Sequence, residues 1–89
     1  MSFGYVYVLG SLRGAERRTY VGWCVNLDAR LARHNSGRGA RSTRGRAWVL
    51  LYAERHPTRT EAMSREWALK RRRRFRADLA AQMMEEQRP

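Results

Sequence analysis

The 89-residue chain is poor in cysteine, in acidic residues and in long apolar runs. Its single cysteine, Cys24, excludes an intrachain disulfide and a cysteine-rich zinc site, and it is typical of a reducing, cytoplasmic compartment. The longest apolar run, residues 47–53, is far too short to span a bilayer. The first residues lack the basic and apolar regions of a secretory signal peptide. We therefore expect no secretion and no membrane partner.

The shortage of acidic residues leaves a large positive charge. Eight Asp and Glu face 19 Lys and Arg, of which 18 are arginine, so the net charge is +11. Such a field on a small domain attracts polyanions, most commonly nucleic acid. Arginine also binds phosphate through two parallel hydrogen bonds, which lysine cannot do. A GC-rich genome that enriches arginine at solvated positions is the alternative explanation, but the local clustering of the arginines favours nucleic acid.

The first half of the chain predicts a hairpin followed by a helix. Residues 5–9 and 19–24 are rich in β-branched and aromatic side chains, and a polar connection over residues 10–17 joins them. Asn26 is a good N-cap for a helix that ends near Asn35. These features predict two strands and one helix.

The second half predicts a loop, a strand and two helices. Residues 36–46 are rich in glycine and arginine and predict an exposed loop, whereas the apolar residues 47–53 predict a buried strand. Thr58, followed three residues later by Glu61, predicts the start of a helix that runs to about Lys70.

The last helix is predicted by the spacing of Phe75, Leu79 and Met83, which places them on one helix face. The order β-β-α-β-α-α predicts an α+β fold, a three-stranded, mainly antiparallel sheet flanked by helices. One domain accounts for residues 1–89, with a core over about 5–75 and a basic C-terminal helix over about 71–87. Exposed Met83 and Met84 would support a homodimer.

Two tyrosines are predicted to share one face of the hairpin. Alternation places Tyr7 on one strand opposite Tyr20 on the other, beside Gly22, which would leave room for a ligand or a helix. A phenol can activate a water or bind a phosphate oxygen. Simple packing in a sheet is the alternative, because tyrosine is common in strands.

The first predicted helix carries Arg30 and His34 one turn apart, beside its inward leucines. Arg30 could reach a phosphate held over the sheet, and His34 could carry a proton or donate a hydrogen bond. The alternative is an arginine whose stem covers the leucines and a histidine that faces solvent.

A carboxylate, Glu66, falls within the apolar arc predicted for the second helix, among Ala62, Met63, Trp67 and Leu69. A buried carboxylate needs a cationic partner. An arginine such as Arg30, the neighbouring Lys70, or a magnesium or manganese ion would each serve.

Together these positions resemble the GIY-YIG endonuclease superfamily. Tyr5-Val6-Tyr7 and Tyr20-Val21-Gly22 resemble its two half-motifs, and Arg30 follows the second tyrosine by ten residues, as in the family. Residues 33–41 resemble the basic, glycine-containing segment of small bacterial members and of branched-DNA resolving nucleases, and residues 65–70 resemble the family's glutamate-bearing helix. The chain departs from the family in having Tyr5 for a glycine, Trp23 where some members have lysine, and no late asparagine.

The resemblance implies metal-dependent hydrolysis of phosphodiester bonds. It implies that Glu66 holds Mg²⁺ or Mn²⁺, that Arg30 stabilises the scissile phosphate, that Tyr7 and Tyr20 position or deprotonate the water, and that His34 assists. The space beside Gly22 favours Tyr20 as the base. We expect single-stranded, flapped or branched DNA as substrate, as in DNA repair, with RNA left open. The predicted DNA contacts are Arg33, Arg38, Arg41, Arg44, Arg46, Lys70, Arg71 and Arg72.

Two other functions are compatible with the composition. A non-catalytic DNA- or RNA-binding module on the same scaffold would need the basic surface but not the five predicted catalytic residues. A basic ribosome-associated protein would explain the charge and leave Glu66 and the tyrosine pair unexplained. An assay for cleavage with and without a divalent metal separates these functions from a nuclease.

Overall fold

The computed structural model describes the backbone of residues 3–86 and the side chains of residues 3–83. A short 3-10 turn, Arg41–Thr43, lies in the loop before the third strand. The α+β class and the predicted element order are confirmed. The strands and helices are β1 (Gly4–Arg13), β2 (Glu16–Cys24), α1 (Leu27–Asn35), β3 (Val49–His56), α2 (Arg59–Lys70) and α3 (Arg73–Glu86).

The sheet is antiparallel, with strand order β2-β1-β3. The prediction that the third strand, over residues 47–53, is buried is wrong. β3 is an edge strand, and Val49 and Leu50 are 49% and 42% exposed. Trp48, just before the strand, is buried. An edge strand has a neighbour on one side only, so its apolar residues are incompletely covered.

The hairpin is longer than predicted. β1 and β2 pair as far as Arg13 and Glu16, so the connection is a tight turn at Gly14 and Ala15 instead of a loop over residues 10–17. Tyr7 pairs with Gly22, and Tyr20 pairs with Leu9. The expectation of Tyr7 directly opposite Tyr20 is therefore wrong by two residues, but a two-residue shift keeps both phenols on one face.

The two faces of the sheet carry separate apolar clusters. α1 covers the face of the tyrosines, where Leu27 and Leu31 pack against the buried cluster of Tyr7, Leu9, Cys24 and Trp48. α2 and α3 cover the other face, where the buried residues are Val6, Val8, Val21, Ala62 and Leu69. Successive residues of β1 alternate between the two faces, so the catalytic candidates of the hairpin lie on the face that α1 covers.

The helix starts agree with the sequence. The Asn26 side chain accepts a hydrogen bond from the Ala29 amide at 3.0 Å, and Thr58 accepts one from the Glu61 amide at 3.1 Å. Each cap satisfies a backbone donor that the first helical turn leaves free. Within residues 3–86 no helix is long and apolar enough to cross a membrane.

The outer helices differ from two expectations. Phe75 and Leu79, predicted to share one helix face with Met83, pack against the buried cluster. Met83 is buried and offers no exposed apolar surface for a homodimer. Met84 lies outside the described side chains. On α2 the apolar arc is narrower than predicted, because Met63 and Trp67 are 50% and 62% exposed.

Candidate functional site

A pocket of about 350 Å³ opens where α1 and the following loop meet β2. Three residues predicted to be catalytic, Tyr20, Arg30 and His34, line it together. The strand supplies the phenol, and successive turns of α1 supply the arginine and the histidine. The remaining lining residues are Arg33, Arg38, Gly39 and Ala40.

Tyr7 lies directly behind this pocket. It is only 2% exposed, and its hydroxyl is 2.9 Å from Nε2 of His34. Its hydroxyl also fills the space above Gly22, where an added Cβ would collide with it. The expectation that Gly22 leaves room for a ligand is therefore wrong, because the room is taken by Tyr7. Gly22 therefore gives no reason to prefer Tyr20 over Tyr7 as the base.

The hydrogen bonds around His34 define its protonation. Its Nδ1 is 2.9 Å from Oγ1 of Thr43, and that hydroxyl donates its single proton to the Ala40 carbonyl at 2.7 Å. Thr43 must then accept from Nδ1–H. The neutral ring consequently presents Nε2 as an acceptor, and the Tyr7 hydroxyl donates to it.

The loop that carries Thr43 is anchored rather than fully exposed. The Trp48 indole donates to the Thr43 carbonyl at 2.8 Å, and the Asn35 side chain bonds both the amide and the carbonyl of Trp48. Gly39 packs so closely on the His34 ring that a Cβ would collide with it. Sequence reasoning misses Thr43, because the composition of residues 36–46 predicts an exposed loop. In the sequence, Thr43 differs from its neighbours only in being the one threonine of residues 36–46.

Burial and charge keep Tyr7 and His34 neutral. Burial, reinforced by the neighbouring Tyr20, raises the pKa of Tyr7, although Arg30 partly offsets this. Burial and the charges of Arg30 and Arg33 lower the pKa of His34. Near neutral pH the phenol therefore keeps its proton while the imidazole remains free to accept one.

The arginines of the pocket present positive charge to a ligand. Arg30 is half-buried and lies close enough to the Tyr7 phenol to act on it by charge and hydrogen bonding. Arg33 donates from Nε to the Arg38 carbonyl at 3.1 Å, which ties α1 to the loop. Three guanidinium groups around one small cavity suit a phosphate group.

The predicted DNA-contacting residues outside the pocket fall into two classes. Arg46 has a side chain only 6% exposed, and it donates to Ser11 and Glu16, both near the hairpin end. It therefore joins the loop to the sheet, and we remove it from the predicted DNA surface. The exposed members are Arg41, Arg44, Lys70, Arg71 and Arg72.

Glu66, like Tyr7, is a predicted catalytic residue that does not line the pocket. It lies on α2, where its side chain is 20% exposed and its carboxylate is 3.2 Å from Lys70 Nζ. Of the partners expected from the sequence, the structure shows the lysine one turn away.

A divalent metal at Glu66 would be held by few protein ligands. Among the described side chains, no group of three or more His, Cys, Asp or Glu is placed to hold a metal ion. Mg²⁺ commonly keeps several waters and binds through one or two carboxylates together with substrate phosphate. A partly exposed hard oxygen donor paired with an ammonium group fits that mode of binding.

Comparison with known proteins identifies the family. The model of the GIY-YIG catalytic domain matches residues 3–78. Among UPF0213 proteins, the chain is 43% identical to one of Clostridium perfringens over 68 residues, which is 75% of this chain and 70% of that protein. It is 38% identical to one of Staphylococcus haemolyticus over 71 residues, which is 79% of this chain and 83% of that protein. No solved structure matches significantly. The chain thus belongs to the GIY-YIG catalytic domain family.

Proposed function

We propose that the protein is a metal-dependent endonuclease that hydrolyses phosphodiester bonds in DNA. Membership in a nuclease family supplies the reaction class. The observation that carries the proposal is the pocket in which a phenol, an imidazole and three guanidinium groups surround a cavity of about 350 Å³. That volume accommodates a phosphate group with its ester oxygens and a water.

Phosphate binding is assigned to the arginines of the pocket. Arg30, the half-buried one, stabilises the charge that develops on the phosphate oxygens during attack. Arg33 and Arg38 hold the flanking backbone from the pocket rim. A fixed positive group in a partly desolvated site stabilises such charge more strongly than one in bulk water.

Proton removal is assigned to Tyr7 acting with His34. A neutral phenol can take a proton from water only if its own proton has an acceptor, and Nε2 of His34 is that acceptor at 2.9 Å. Tyr20 lines the pocket and packs against His34 at a tilt of 58°, with ring centroids 4.9 Å apart, and we assign it to positioning the water. This division replaces Tyr20 by Tyr7 as the preferred base.

Glu66 is the residue that would hold Mg²⁺ or Mn²⁺. Its carboxylate is a hard oxygen donor. If a metal ion replaced the Lys70 ammonium as its partner, the carboxylate charge would remain paired. A bound divalent ion would supply Lewis-acid stabilisation of the phosphate and the leaving oxygen.

The exposed arginines favour a polyanionic substrate long enough to contact several of them at once. Arg38, Arg41 and Arg44 project from the loop beside the pocket, and a second basic segment begins at Lys70. Single-stranded, flapped or branched DNA could follow such surfaces with little sequence selection. We place the activity in cytoplasmic DNA repair, and RNA is the competing substrate.

The proposal is tested with labelled single-stranded, duplex, flap and four-way DNA and a matched RNA. Each is incubated with the protein and Mg²⁺, Mn²⁺ or EDTA. We expect metal-dependent cleavage, strongest on the non-duplex forms. Binding to these substrates without cleavage in any metal would contradict the proposal and favour the non-catalytic module.

The Glu66→Gln variant separates this protein's activity from a contaminating nuclease. The substitution keeps the shape of the side chain and removes the charge that would hold the metal. We expect cleavage to fall by at least about 100-fold, because metal catalysis supplies several kcal/mol, while DNA affinity and melting temperature change little. Full activity of Glu66→Gln would exclude Glu66 as the metal ligand.

A further inference from the structure

We propose that Thr43 is a positioning residue that fixes which ring nitrogen of His34 carries the proton, and so directs the Tyr7 proton toward His34. The inference rests on the proposed hydrolysis for its kinetic consequence. Its structural part, the protonation of the ring, stands on the hydrogen bonds alone. Thr43 reaches the reaction only through His34, which it contacts from the side opposite Tyr7.

The direction of the hydrogen bonds follows from the number of available protons. The Ala40 carbonyl can only accept, so the Thr43 hydroxyl donates to it. The same hydroxyl can then only accept from His34, which places the proton on Nδ1. Nε2 is left with its lone pair facing the Tyr7 hydroxyl.

The opposite tautomer would disable the pair. If Nε2 carried the proton, it would donate to the Tyr7 oxygen, and the phenol's own proton would lose Nε2 as its acceptor. Nδ1 would then need the Thr43 proton, and the Ala40 carbonyl would lose its donor. A phenol without a proton acceptor cannot act as a base while it remains neutral.

Burial makes the choice of tautomer strict. Thr43 is 0% exposed and His34 is 2% exposed, so bulk water cannot readily replace a lost hydrogen bond. Gly39 closes the same side of the ring, because it packs against Nδ1 and Cα of His34. The ring is therefore clamped by its own loop in orientation as well as in protonation.

The proton transfers balance as follows. An O–H bond of water breaks as an O–H bond to Tyr7 forms, and the original Tyr7 proton passes to Nε2 of His34. The resulting hydroxide attacks phosphorus, the bond from phosphorus to the leaving oxygen breaks, and that oxygen takes a proton from solvent. The imidazolium keeps its Nδ1–H bond to Thr43. Arg30 and Arg33 face it with like charge and favour its return to the neutral form, while the side chains of Tyr7 and Tyr20 contact it from the sheet.

The test compares Thr43→Val, Thr43→Ser and Ser42→Ala. Valine keeps the volume and removes the hydroxyl, serine restores the hydroxyl, and Ser42 is an exposed neighbour in the same turn. Single-turnover cleavage is measured against pH, and histidine side-chain ¹⁵N NMR reports the tautomer. The His56→Gln variant identifies the signals of the second histidine. Circular dichroism and melting temperature monitor folding.

We expect wild-type His34 to carry its proton on Nδ1 and Thr43→Val to show protonated Nε2. Cleavage by Thr43→Val should fall on the order of tenfold or more, because a positioned acid–base group contributes at least that much. Thr43→Ser should restore most of the rate and the Nδ1 signal, and Ser42→Ala should match the wild type. If Thr43→Val does not fold, the test uses Gly39→Ala, whose added Cβ would displace the His34 ring. Thr43→Ser, which keeps the hydroxyl, is then its control.

Two results would overturn the inference. One is a wild-type His34 that carries its proton on Nε2, whatever the cleavage assay shows. The other is a folded Thr43→Val variant that cleaves like the wild type with an unchanged pH profile. Absence of cleavage by the wild type would instead refute the proposed function, and the NMR experiment would still decide the tautomer.

Discussion

At the scale of single residues, the two tyrosines of the hairpin share a sheet face but differ in their surroundings. Tyr7 is buried and hydrogen-bonded to His34, whereas Tyr20 is partly exposed at the pocket wall. A shared face follows from the period of two in a strand. The difference in burial follows from β1 being the central strand and from the loop that closes over His34.

The Tyr7→Phe and Tyr20→Phe variants test this difference. Phenylalanine keeps the ring and removes only the hydroxyl, so both should fold. We expect Tyr7→Phe to lose about 100-fold or more in cleavage rate, because it removes the hydroxyl that is hydrogen-bonded to Nε2 of His34. Tyr20→Phe should be impaired less. Single-turnover rates compare them, and a more damaged Tyr20→Phe would return the role of base to Tyr20.

The pH dependence of cleavage by the wild type tests the role of neutral His34. His34 must be neutral to accept a proton, and its pKa lies below the ordinary value of 6.5 because of burial and the nearby arginines. Cleavage should therefore hold through neutral pH and fall only as the pH drops below about 6.5. Tyr7→Phe should lose this dependence, because its proton path is already absent.

At the scale of elements, the loop between α1 and β3 has two roles that its composition does not separate. Its inner residues, among them Thr43, hold His34, and Arg46 joins it to the hairpin. Its exposed arginines, Arg41 and Arg44, remain available to a ligand. The same residue type is therefore structural at one position and exposed at another.

Alanine variants of the loop arginines should divide accordingly. Arg41→Ala and Arg44→Ala should weaken DNA binding and lower the slope of log K against log salt by roughly one each, with no change in melting temperature. Arg46→Ala is the matched control from the same loop, and it should lower the free energy of unfolding by about 1–3 kcal/mol. Binding titrations at several salt concentrations and thermal unfolding measure both. Equal effects of the three alanine variants on the salt slope would contradict the distinction between exposed and structural arginines.

At the scale of the whole molecule, an ion cluster ties the edge strand to α2. The Glu54 carboxylate accepts hydrogen bonds from Tyr52, from His56 at 2.8 Å and from Arg65 at 2.7 Å. Burial alone would raise the pKa of Glu54, but the bonds from Arg65, Tyr52 and His56 outweigh it and lower the pKa to about 2. The pair of Glu54 and Arg65 therefore places opposite charges across the contact between β3 and α2.

The Glu54→Gln variant tests this contribution. The folded pKa is below the value of 4.5 expected for the free side chain, so the stabilisation is present above about pH 4.5 and is lost as the pH falls toward about 2. At pH 7 the substitution should cost on the order of 2 kcal/mol of unfolding free energy. Asp78→Asn, at an exposed position, is the control. Urea unfolding at pH 7 and pH 3 measures both, and an equal effect of Glu54→Gln at both values would contradict the assignment.

The sequence by itself determined the element types, the helix starts and the family. Those features depend on local chemistry: the alternation in residues 5–9, the caps at Asn26 and Thr58, and the two tyrosine half-motifs. It also determined that the phenols share a face, because that depends only on the strand period. The predicted catalytic and metal-binding roles remain predictions.

Only the tertiary structure decided what surrounds each of these side chains. The space above Gly22 is filled from the paired strand, β3 is an edge because of the strand order, and Arg46 is held by the hairpin end. Thr43 contacts His34 because the loop returns over α1, although the two are nine residues apart in sequence. Such contacts depend on how the chain closes in three dimensions, which hydrophobic period and local spacing do not encode.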